Sequence, residues 1–382
     1  MTAAHNSLIL FLSQGKSLGW WHETGLLSRE IALYLRLLRQ DVFEEIVIFS
    51  YDPADRAFVA EQAGHDPLWA RIRILAPDRR ATGRRALWWS LVGPLRHARE
   101  IGRAHAIKTN QLNSAPAALV AARRTGRPLV LRFGYLLSSS YHDSGRKLRA
   151  KATRLLEGVG YRAASRVLVS SRDMERHVAG RGHGAKVLVT PTYVDVATFR
   201  AKADYDFSAP LVWVGRLSAA KNLDRLIEAC ALVGCDLTLI GSGELEEPLR
   251  AQAATVPIRV EFAGRMPNEL LAERLRDHSV FMLPSFYEGL PKALIEAMAC
   301  GLVCVASNVS GITDLIRDGD TGYLIDGFEA EDIARVLRRV FGEADGDVGR
   351  RARAFIERDF GLERYAEREA EVYASLPALA KR

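Results

Sequence analysis

The pattern that most constrains this chain is a repeated alternation of short apolar runs with amphipathic segments. Strands that alternate with helices predict parallel sheets covered by helices on both faces. A polar, irregular segment at 203–210 separates the first seven runs from the last six, which predicts two Rossmann-like α/β domains with a cleft between them. In such sheets ligands bind beyond the carboxyl ends of the strands. The predicted strands are 7–12, 45–50, 71–75, 106–109, 129–133, 166–170, 187–190, 211–214, 237–240, 258–262, 280–283, 303–306 and 323–325.

Charge is divided unevenly between the two halves. Residues 1–200 hold 31 Lys and Arg against 16 Asp and Glu, whereas the whole chain holds 53 against 46. The remainder therefore has 22 basic and 30 acidic residues, because 53 − 31 = 22 and 46 − 16 = 30. A basic half beside an acidic half predicts two domains with different partners.

The densest basic stretch, residues 71–103, has nine arginines and a pair of tryptophans. Arginine beside tryptophan is what an interfacial helix offers to an anionic bilayer, since the rings reach the headgroups and guanidinium groups bind phosphate. The alternative is a solvated face whose tryptophans fill the core. Nucleic acid is disfavoured, because no motif of a known binding module is present. The residues predicted to contact a membrane are Arg84, Arg85, Trp88 and Trp89.

Composition excludes several other classes of protein. The chain has four cysteines in 382 residues and no run near the ~20 apolar residues of a spanning helix. The cysteines lack the CxxC spacing of zinc or redox sites, so we expect them to be small buried hydrophobes in a reducing cytoplasm. A peripheral position at the inner face of the cell membrane is compatible with the basic stretch.

Two glycine-containing turns match known nucleotide-binding motifs only in part. Residues 14–17 read Gln-Gly-Lys-Ser after the first strand, but a P-loop requires glycine where the chain has Leu10, which disfavours an ATPase. Gly15 and Gly19 stay candidates for backbone contact with an anion. Gly241 and Gly243 form half of a dinucleotide fingerprint, which a tight strand-to-helix turn explains equally well.

The candidate chemistry is concentrated in the second half. Arg216 and Lys221 follow strand 211–214, at its carboxyl end and just before a helix, an arrangement that suits a diphosphate. The segment 285–299 follows strand 280–283, with Glu288 in the loop and Glu296 in the helix. Glu288 is placed to accept bonds from sugar hydroxyls, and Glu296 to reach ribose. A hydrolytic acid/base pair is not expected from two carboxylates that reach different parts of one ligand.

With these residues the sequence resembles the retaining, nucleotide-sugar-dependent glycosyltransferases of family four, which have the GT-B fold. The resemblance rests on VGRLSAAKNLDRLIEA (214–229), GSGE (241–244), EFAGRMPNELL (261–271), the E-x7-E element of Glu288 and Glu296, and SNVSGITDLIRDGDTGYLI (307–325). In the first half the match is looser, because Thr192 and Tyr193 replace an expected Asn and Gly.

The resemblance implies roles for matching positions. Arg216, Lys221 and Glu288 would be catalytic: the two cations would stabilise the leaving diphosphate, as a metal ion does elsewhere, and Glu288 would contact the donor sugar. No cofactor or metal is then expected. The other implied donor-binding residues are Gly215, Gly241, Gly243, Arg265, Met266, Ser285, Gly289, Leu290, Pro291 and Glu296.

The resemblance also implies a domain plan. Residues 1–200 would bind the acceptor, 201–360 the nucleotide sugar, and 361–382 would form a helix that returns to the first domain. Candidate acceptor-side residues are Gly15, Gly19, Arg132 and Tyr135, and no histidine role carries over. The expected partners are a UDP- or GDP-sugar, a glycan or lipid-linked acceptor, and an anionic membrane. Rival functions are a sugar-nucleotide epimerase or hydrolase, a non-catalytic scaffold that binds nucleotide sugars, and a polyanion-binding protein.

Overall fold

The structure, a computed structural model, describes residues 6–134, 147–343 and 346–377. The chain divides into two units. Unit one comprises residues 1–191 and 365–382, and unit two comprises residues 192–364.

Unit one is built on a sheet of seven parallel strands in the order β3-β2-β1-β4-β5-β6-β7. The strands are β1 (Ser7–Phe11), β2 (Glu45–Phe49), β3 (Ile72–Leu75), β4 (Ala106–Thr109), β5 (Leu129–Phe133), β6 (Arg166–Val169) and β7 (Val187–Val189). The central strands read as continuous apolar runs because helices cover both faces of the sheet.

The helices of unit one are distributed by the strand order. The chain runs toward one edge of the sheet from β1 to β3 and toward the other from β3 to β7. Because parallel crossovers are right-handed, these two sets of connections lie on opposite faces. The helices are α1 (Leu18–Glu23), α2 (Leu27–Arg39), α3 (Asp55–Ala63), α4 (Gly83–Arg96), α5 (Ala98–Ile101), α6 (Ala115–Thr125), α7 (Lys147–Ala163) and α8 (Arg172–Val178).

Unit two repeats the plan with six parallel strands in the order β10-β9-β8-β11-β12-β13. Its strands are β8 (Leu211–Arg216), β9 (Leu237–Ser242), β10 (Val260–Gly264), β11 (Val280–Leu283), β12 (Val303–Ser307) and β13 (Tyr323–Ile325). Its helices are α9 (Leu223–Val233), α10 (Glu246–Ala253), α11 (Asn268–Arg276), α12 (Lys292–Ala299), α13 (Ala330–Glu343) and α14 (Asp347–Phe360). The last helix, α15 (Leu362–Ala374), begins in unit two and lies mostly in unit one.

The predicted fold class is confirmed, with differences at the boundaries. Each of the thirteen predicted strands is present within a few residues of its predicted limits. The first boundary lies near 192 rather than 201, because Val194 exchanges backbone hydrogen bonds with Phe360 and Leu362 and Phe199 packs in the core of unit two. The final helix returns to unit one from Tyr365, as the returning helix of the resemblance implies.

Candidate active site

The predicted donor residues of unit two follow neighbouring strands at one edge of its sheet. Strand β8 pairs with β9 on one side and with β11 on the other, and all of these pairs are parallel. Their carboxyl ends therefore lie at the same edge, which brings together the loops that follow β8, β9 and β11.

The segment after β8 carries both predicted cations. Arg216 is the last residue of β8, and Lys221 ends a single 3₁₀ turn at 219–221. Asn222 then adopts a left-handed conformation with φ of 55°, which Asn tolerates better than most residues, and α9 begins directly after it. The Asn222 side chain is buried and donates to the carbonyl of Phe328 at 2.8 Å, so the turn that presents Lys221 is anchored.

Lys221 and Glu288 form the central contact of this edge. The Lys221 Nζ atom lies 2.6 Å from Glu288 Oε1, and both side chains are largely buried. The buried Ser285 hydroxyl donates to the same oxygen at 2.8 Å. The amide of Phe286 donates to the carbonyl of Ala220 at 3.0 Å, which ties the two loops together. The structure thus joins three of the predicted residues in one hydrogen-bonded group.

Arg216 has a different carboxylate partner, which the sequence analysis did not single out. Its guanidinium lies 3.1 Å from Glu244 Oε2, and both side chains are exposed. The pKa of Glu244 is lowered by its own backbone amide and by Arg216. Glu244 follows Gly243 in the GSGE turn, so the signal was present in the sequence as an acidic residue opposite the cation. Each predicted cation therefore carries a carboxylate in this structure.

Gly243 lets the turn after β9 approach the cation segment closely. A Cβ atom at Gly243 would lie 2.2 Å from the carbonyl oxygen of Leu217. Around it, the amide of Leu217 donates to Ser242 and the amide of Leu245 donates to Leu217. Gly215 and Gly241 are paired residues of β8 and β9 in the same region. These glycines hold the Arg216 loop in place.

Gly311 likewise allows its own loop to approach closely the loop that carries Glu288. Its φ is +84°, and a Cβ atom there would lie 1.5 Å from the carbonyl oxygen of Gly289 and 3.0 Å from that of Glu288. Gly311 lies in the loop after β12 and was noted in the sequence only as part of the resemblance. No side chain fits between these two loops.

The remaining predicted donor residues surround the same loops. Pro291 precedes α12 at its N-cap position rather than within its first turn, and it is buried. Gly289 is exposed and Leu290 partly buried, while Glu296 lies in the second turn of α12 and is buried. Arg265 and Met266 follow β10 at the same edge of the sheet.

In unit one, the backbone amide of Gly19 forms a hydrogen bond within the unit. The amides of Leu18 and Gly19 donate to the two carboxylate oxygens of Asp55 at 2.9 and 3.1 Å, and the Ser50 hydroxyl also donates to Asp55. Asp55 is buried, and burial raises its pKa. The Gly19 amide is therefore bonded to a side chain of unit one in this structure, and its contact with a bound anion stays a prediction. Gly15 lies with a φ of +74° beside Ala86.

Arg132 is likewise engaged within unit one. It donates to the carbonyl of Asn110 at 3.0 Å and lies beside Tyr365 of α15. This bond gives Arg132 a structural role, and its predicted acceptor-side role stays a prediction. Tyr135 lies outside the described residues.

Beside Arg132 lies a buried ion pair that the sequence analysis missed. Both carboxylate oxygens of Glu369 accept from Lys108 Nζ, at 2.7 and 2.6 Å, and both side chains are fully buried. Tyr373 also donates to Glu369, at 2.8 Å. Burial lowers the pKa of Lys108 to about 8, although Glu369 acts in the opposite direction. In the sequence, the position of Lys108 inside a short apolar strand was the indication that this lysine is buried and needs a partner.

The two tryptophans of α4 have opposite environments, so the prediction of a shared surface is wrong for one of them. Trp88 is 62% exposed, whereas Trp89 is 2% exposed. Trp89 stacks on Phe49 and donates its indole N–H to the carbonyl of Ser50 at 3.0 Å. Arg84 and Arg85 are exposed, on the same side of the helix as Trp88.

The described residues contain neither a cluster of metal ligands nor a helix suited to spanning a membrane. No group of three or more His, Cys, Asp or Glu side chains within 6–134, 147–343 and 346–377 is arranged to hold a metal ion. None of the described helices combines the length and the hydropathy needed to cross a bilayer. The four cysteines are free thiols, three of them buried.

Two family models together match most of the chain. The model described as glycosyl transferases group 1 matches residues 200–356, and the glycosyl transferase 4-like domain matches residues 28–192. The fold and the site define a glycosyltransferase-type protein of two Rossmann-like domains. The chain belongs to the group 1 glycosyltransferases of the family-four type.

Two curated relatives are named as glycosyltransferases. The amylovoran biosynthesis glycosyltransferase AmsK of Erwinia amylovora is 36% identical over 46% of this chain and 47% of its own length. The putative colanic acid biosynthesis glycosyltransferase WcaL of Escherichia coli is 32% identical over 46% of this chain and 48% of its own length. The matched region thus spans about half of these relatives.

The structural comparison adds the fold of the whole chain. Anabaena HepE, solved in complex with UDP, superposes with a TM-score of 0.74 over 97% of this chain and 100% of that one, at 17% identity. HepE has also been solved with UDP-glucose. At this identity the likeness shows the GT-B fold alone.

Proposed function

We propose that this protein is a retaining glycosyltransferase that moves a sugar from a UDP- or GDP-linked donor to a hydroxyl of a glycan or lipid-linked acceptor. The observation that carries the proposal is the Lys221–Glu288–Ser285 group, in which a cation and a carboxylate are in contact at the edge of the sheet where ligands bind in such folds. The names of AmsK and WcaL support a role in cell-surface polysaccharide biosynthesis.

The charges suit the chemistry of a sugar diphosphate. When the bond between the anomeric carbon and the phosphate oxygen breaks, the electron pair stays on the diphosphate and positive charge develops on the sugar. Arg216 and Lys221 would neutralise the leaving diphosphate, and preorganised cations of this kind are often the largest catalytic contribution. Glu288 would then accept hydroxyl groups of the transferred sugar.

Retention follows if the acceptor attacks from the face that the diphosphate leaves. The acceptor oxygen forms the new bond to the anomeric carbon, and its proton goes to an oxygen of the departing phosphate. This route needs no protein base, which agrees with the lack of a carried-over histidine role. Because Arg216 and Lys221 would neutralise the diphosphate in place of a divalent metal, we expect the transfer to persist in EDTA.

Turnover of defined donors tests this proposal. The purified protein is incubated with UDP-glucose, UDP-galactose, UDP-N-acetylglucosamine and GDP-mannose, with and without a lipid extract as acceptor, and nucleoside diphosphate release is measured. Arg216→Ala and Lys221→Ala should each lower release by about 10²- to 10³-fold. Arg225→Ala is the matched control, because Arg225 is an exposed arginine of the same unit paired with Glu228.

The outcomes separate the rival functions. Release of nucleoside diphosphate that needs no acceptor would indicate a hydrolase. Conversion of the donor to an epimer that still carries its nucleotide would indicate an epimerase, and binding of the donors without release or conversion would indicate a scaffold. Full activity of both Arg216→Ala and Lys221→Ala would contradict the diphosphate assignment.

We also propose that the enzyme works as a peripheral protein at the inner, anionic face of the cell membrane, which requires a cytoplasmic location. Helix α4 supports this, since Leu87, Trp88, Leu91 and Leu95 are exposed on a helix that carries arginines and no acidic residue. Such a face suits the headgroup region of an anionic bilayer. Replacing Trp88 and Leu91 with Ser should weaken sedimentation with vesicles that contain phosphatidylglycerol, and unchanged sedimentation would contradict the proposal.

A further inference from the structure

Helix α7 carries a second exposed apolar stripe that neither the sequence analysis nor the family assigns to a function. Leu148, Leu155 and Val159 are spaced by seven and four residues and therefore lie on one side of the helix. Leu148 is 84% exposed and Leu155 is 71% exposed, so the stripe is an apolar surface open to solvent. The opposite side is buried and includes Glu157 and Tyr161.

The stripe is bordered by cations. Five exposed basic residues lie on α7, and the only acidic residue of the helix, Glu157, is fully buried within 3.8 Å of Arg181. The outer surface of α7 is therefore apolar and positive, with no exposed carboxylate. The five basic residues are Lys147, Arg149, Lys151, Arg154 and Arg162.

Helices α4 and α7 belong to the same layer of unit one. Both lie in connections that run from β3 toward β7, so right-handed crossovers place them on one face of the sheet. Helix α6 packs against each of them. Their buried sides rest on the same core, where Trp89 of α4 stacks on Phe49 and Tyr161 of α7 stacks on Phe133. Their exposed stripes consequently face away from the sheet on the same side.

We propose that α7 is a second membrane-binding element, so that unit one binds an anionic bilayer through the outer surfaces of α4 and α7 together. This inference rests on the membrane association proposed for α4. Charge complementarity selects the occupant: an apolar stripe bordered by cations and lacking exposed carboxylates matches a layer of anionic headgroups over acyl chains. The leucine side chains enter the acyl boundary, and the cations contact lipid phosphates.

Two membrane-binding helices should hold the protein to a bilayer more strongly than one helix, and the difference can be measured. A single short apolar element gives only marginal and reversible attachment, whereas two elements on one rigid unit act together. Each basic residue near an anionic surface contributes about fivefold in partition, and this part weakens as salt rises. Loss of either helix surface should therefore reduce binding strongly, although the other remains.

The test is flotation of the full-length protein with vesicles of phosphatidylcholine containing 30 mol% phosphatidylglycerol. Leu155→Ser with Val159→Ser removes apolar surface from α7, and Lys151→Glu with Arg154→Glu reverses its charge. Each double variant should lower the partition coefficient by about tenfold or more. Leu232→Ser with Leu270→Ser is the matched control, because both leucines are 54% exposed but lie in unit two, and its partition should equal that of the unaltered protein.

The outcomes keep the proposals apart. Circular dichroism and nucleoside diphosphate release from soluble donor, both measured without vesicles, should be unchanged in the α7 variants. If the α7 variants bind vesicles as the control does while α4 variants fail, the proposal for α7 is overturned and that for α4 stands. If the unaltered protein does not float, the membrane proposals for α4 and α7 both fail. If the α7 variants bind vesicles fully but lose self-association, the stripe is a protein contact and the proposal for α7 fails.

Discussion

At the scale of single residues, the cations of the site are neutralised before any donor binds. Lys221 contacts Glu288 at 2.6 Å, and Arg216 contacts Glu244 at 3.1 Å. In the proposed binding mode, a diphosphate would therefore displace carboxylates from both cations. In the proposed reaction Glu288 is released from Lys221 when the diphosphate arrives, and its oxygens become available to the hydroxyls of the donor sugar.

This exchange predicts that Glu288→Gln has opposite effects on UDP affinity and on sugar transfer. Glu288→Gln removes the negative charge that competes with a diphosphate for Lys221, so the affinity for UDP alone should rise by about three- to tenfold. Sugar transfer should fall by about 10²-fold, because the amide accepts hydroxyl groups less strongly than the carboxylate. Calorimetric titration with UDP and a donor turnover assay measure the two effects. Weaker UDP binding by Glu288→Gln would contradict the exchange.

Gly311 offers a second prediction at this scale. Gly311→Ala places a methyl group on the Gly289 carbonyl and should displace the loop of Glu288, lowering UDP affinity by about tenfold or more. Gly234→Ala is the control: its φ is +76°, but no atom lies within 4 Å of its Cβ position. It should lose only about 1 kcal/mol of stability and keep its UDP affinity. Equal affinities of the two variants, measured by titration, would refute the positioning role.

These residues show what sequence reasoning can supply for a site. The positions of Arg216, Lys221 and Glu288 after buried strands were sufficient to predict that they share one edge of the sheet. The pairing of Lys221 with Glu288 rather than with Glu244 was not predictable, because it depends on loop paths set by Ser285 and by the Phe286–Ala220 hydrogen bond.

At the scale of elements, α4 shows how one helix can serve the core and the surface. Ala86, Trp89 and Gly93 recur at helical spacing and are buried, and Trp88 lies between them on the outer side. That spacing was visible in the sequence, but the run of apolar residues around it obscured the buried stripe. Gly93 is required where it lies, since a Cβ atom there would meet the rings of Phe49 and Trp89.

The two tryptophans should therefore respond differently to truncation. Trp89→Ala removes a buried ring and its hydrogen bond to Ser50, and should lower the free energy of unfolding by about 3–5 kcal/mol. Trp88→Ala should change it by less than about 0.5 kcal/mol, because the ring is exposed. Urea unfolding compares the two variants. A similar loss in both would contradict the assigned orientation of α4.

The buried Lys108–Glu369 pair attaches α15 to β4. Glu369→Gln leaves a buried cation without a counter-ion and should destabilise the protein by about 3–5 kcal/mol. Adding Lys108→Met to that variant should restore most of the loss, since the unpaired charge is gone. Urea unfolding at pH 7 checks both, and failure of the second change to rescue the first would argue against the pair as the cause.

The pH dependence of this pair has a defined sign. The folded-state pKa of Lys108, about 8, lies below the ordinary value of 10.5. Between these two values the unfolded chain binds more protons than the folded one, so the stability contribution of Lys108 rises with pH across that interval. The sequence could place Lys108 in a strand, but its partner lies 261 residues away and depends on the return of the last helix.

At the scale of the whole molecule, each unit is built on its own run of consecutive strands. The first seven strands form the sheet of unit one, and the last six form the sheet of unit two. Both sheets were predictable, because each strand is an apolar run bounded by polar turns. The boundary near 192 was not, since a short backbone pairing of Val194 with Gly361 decides to which unit residues 192–200 belong. The membrane partner expected from the basic first half stays a prediction, and it enters the proposals made for α4 and α7.

The most direct test is a crystal structure of the protein grown with UDP or GDP. The proposal predicts that the diphosphate lies in unit two, with its oxygens within about 3.2 Å of Lys221 Nζ and of the Arg216 guanidinium, and that the Lys221–Glu288 contact has opened. A nucleotide bound elsewhere, or one bound while the 2.6 Å contact between Lys221 and Glu288 stays intact, would contradict it.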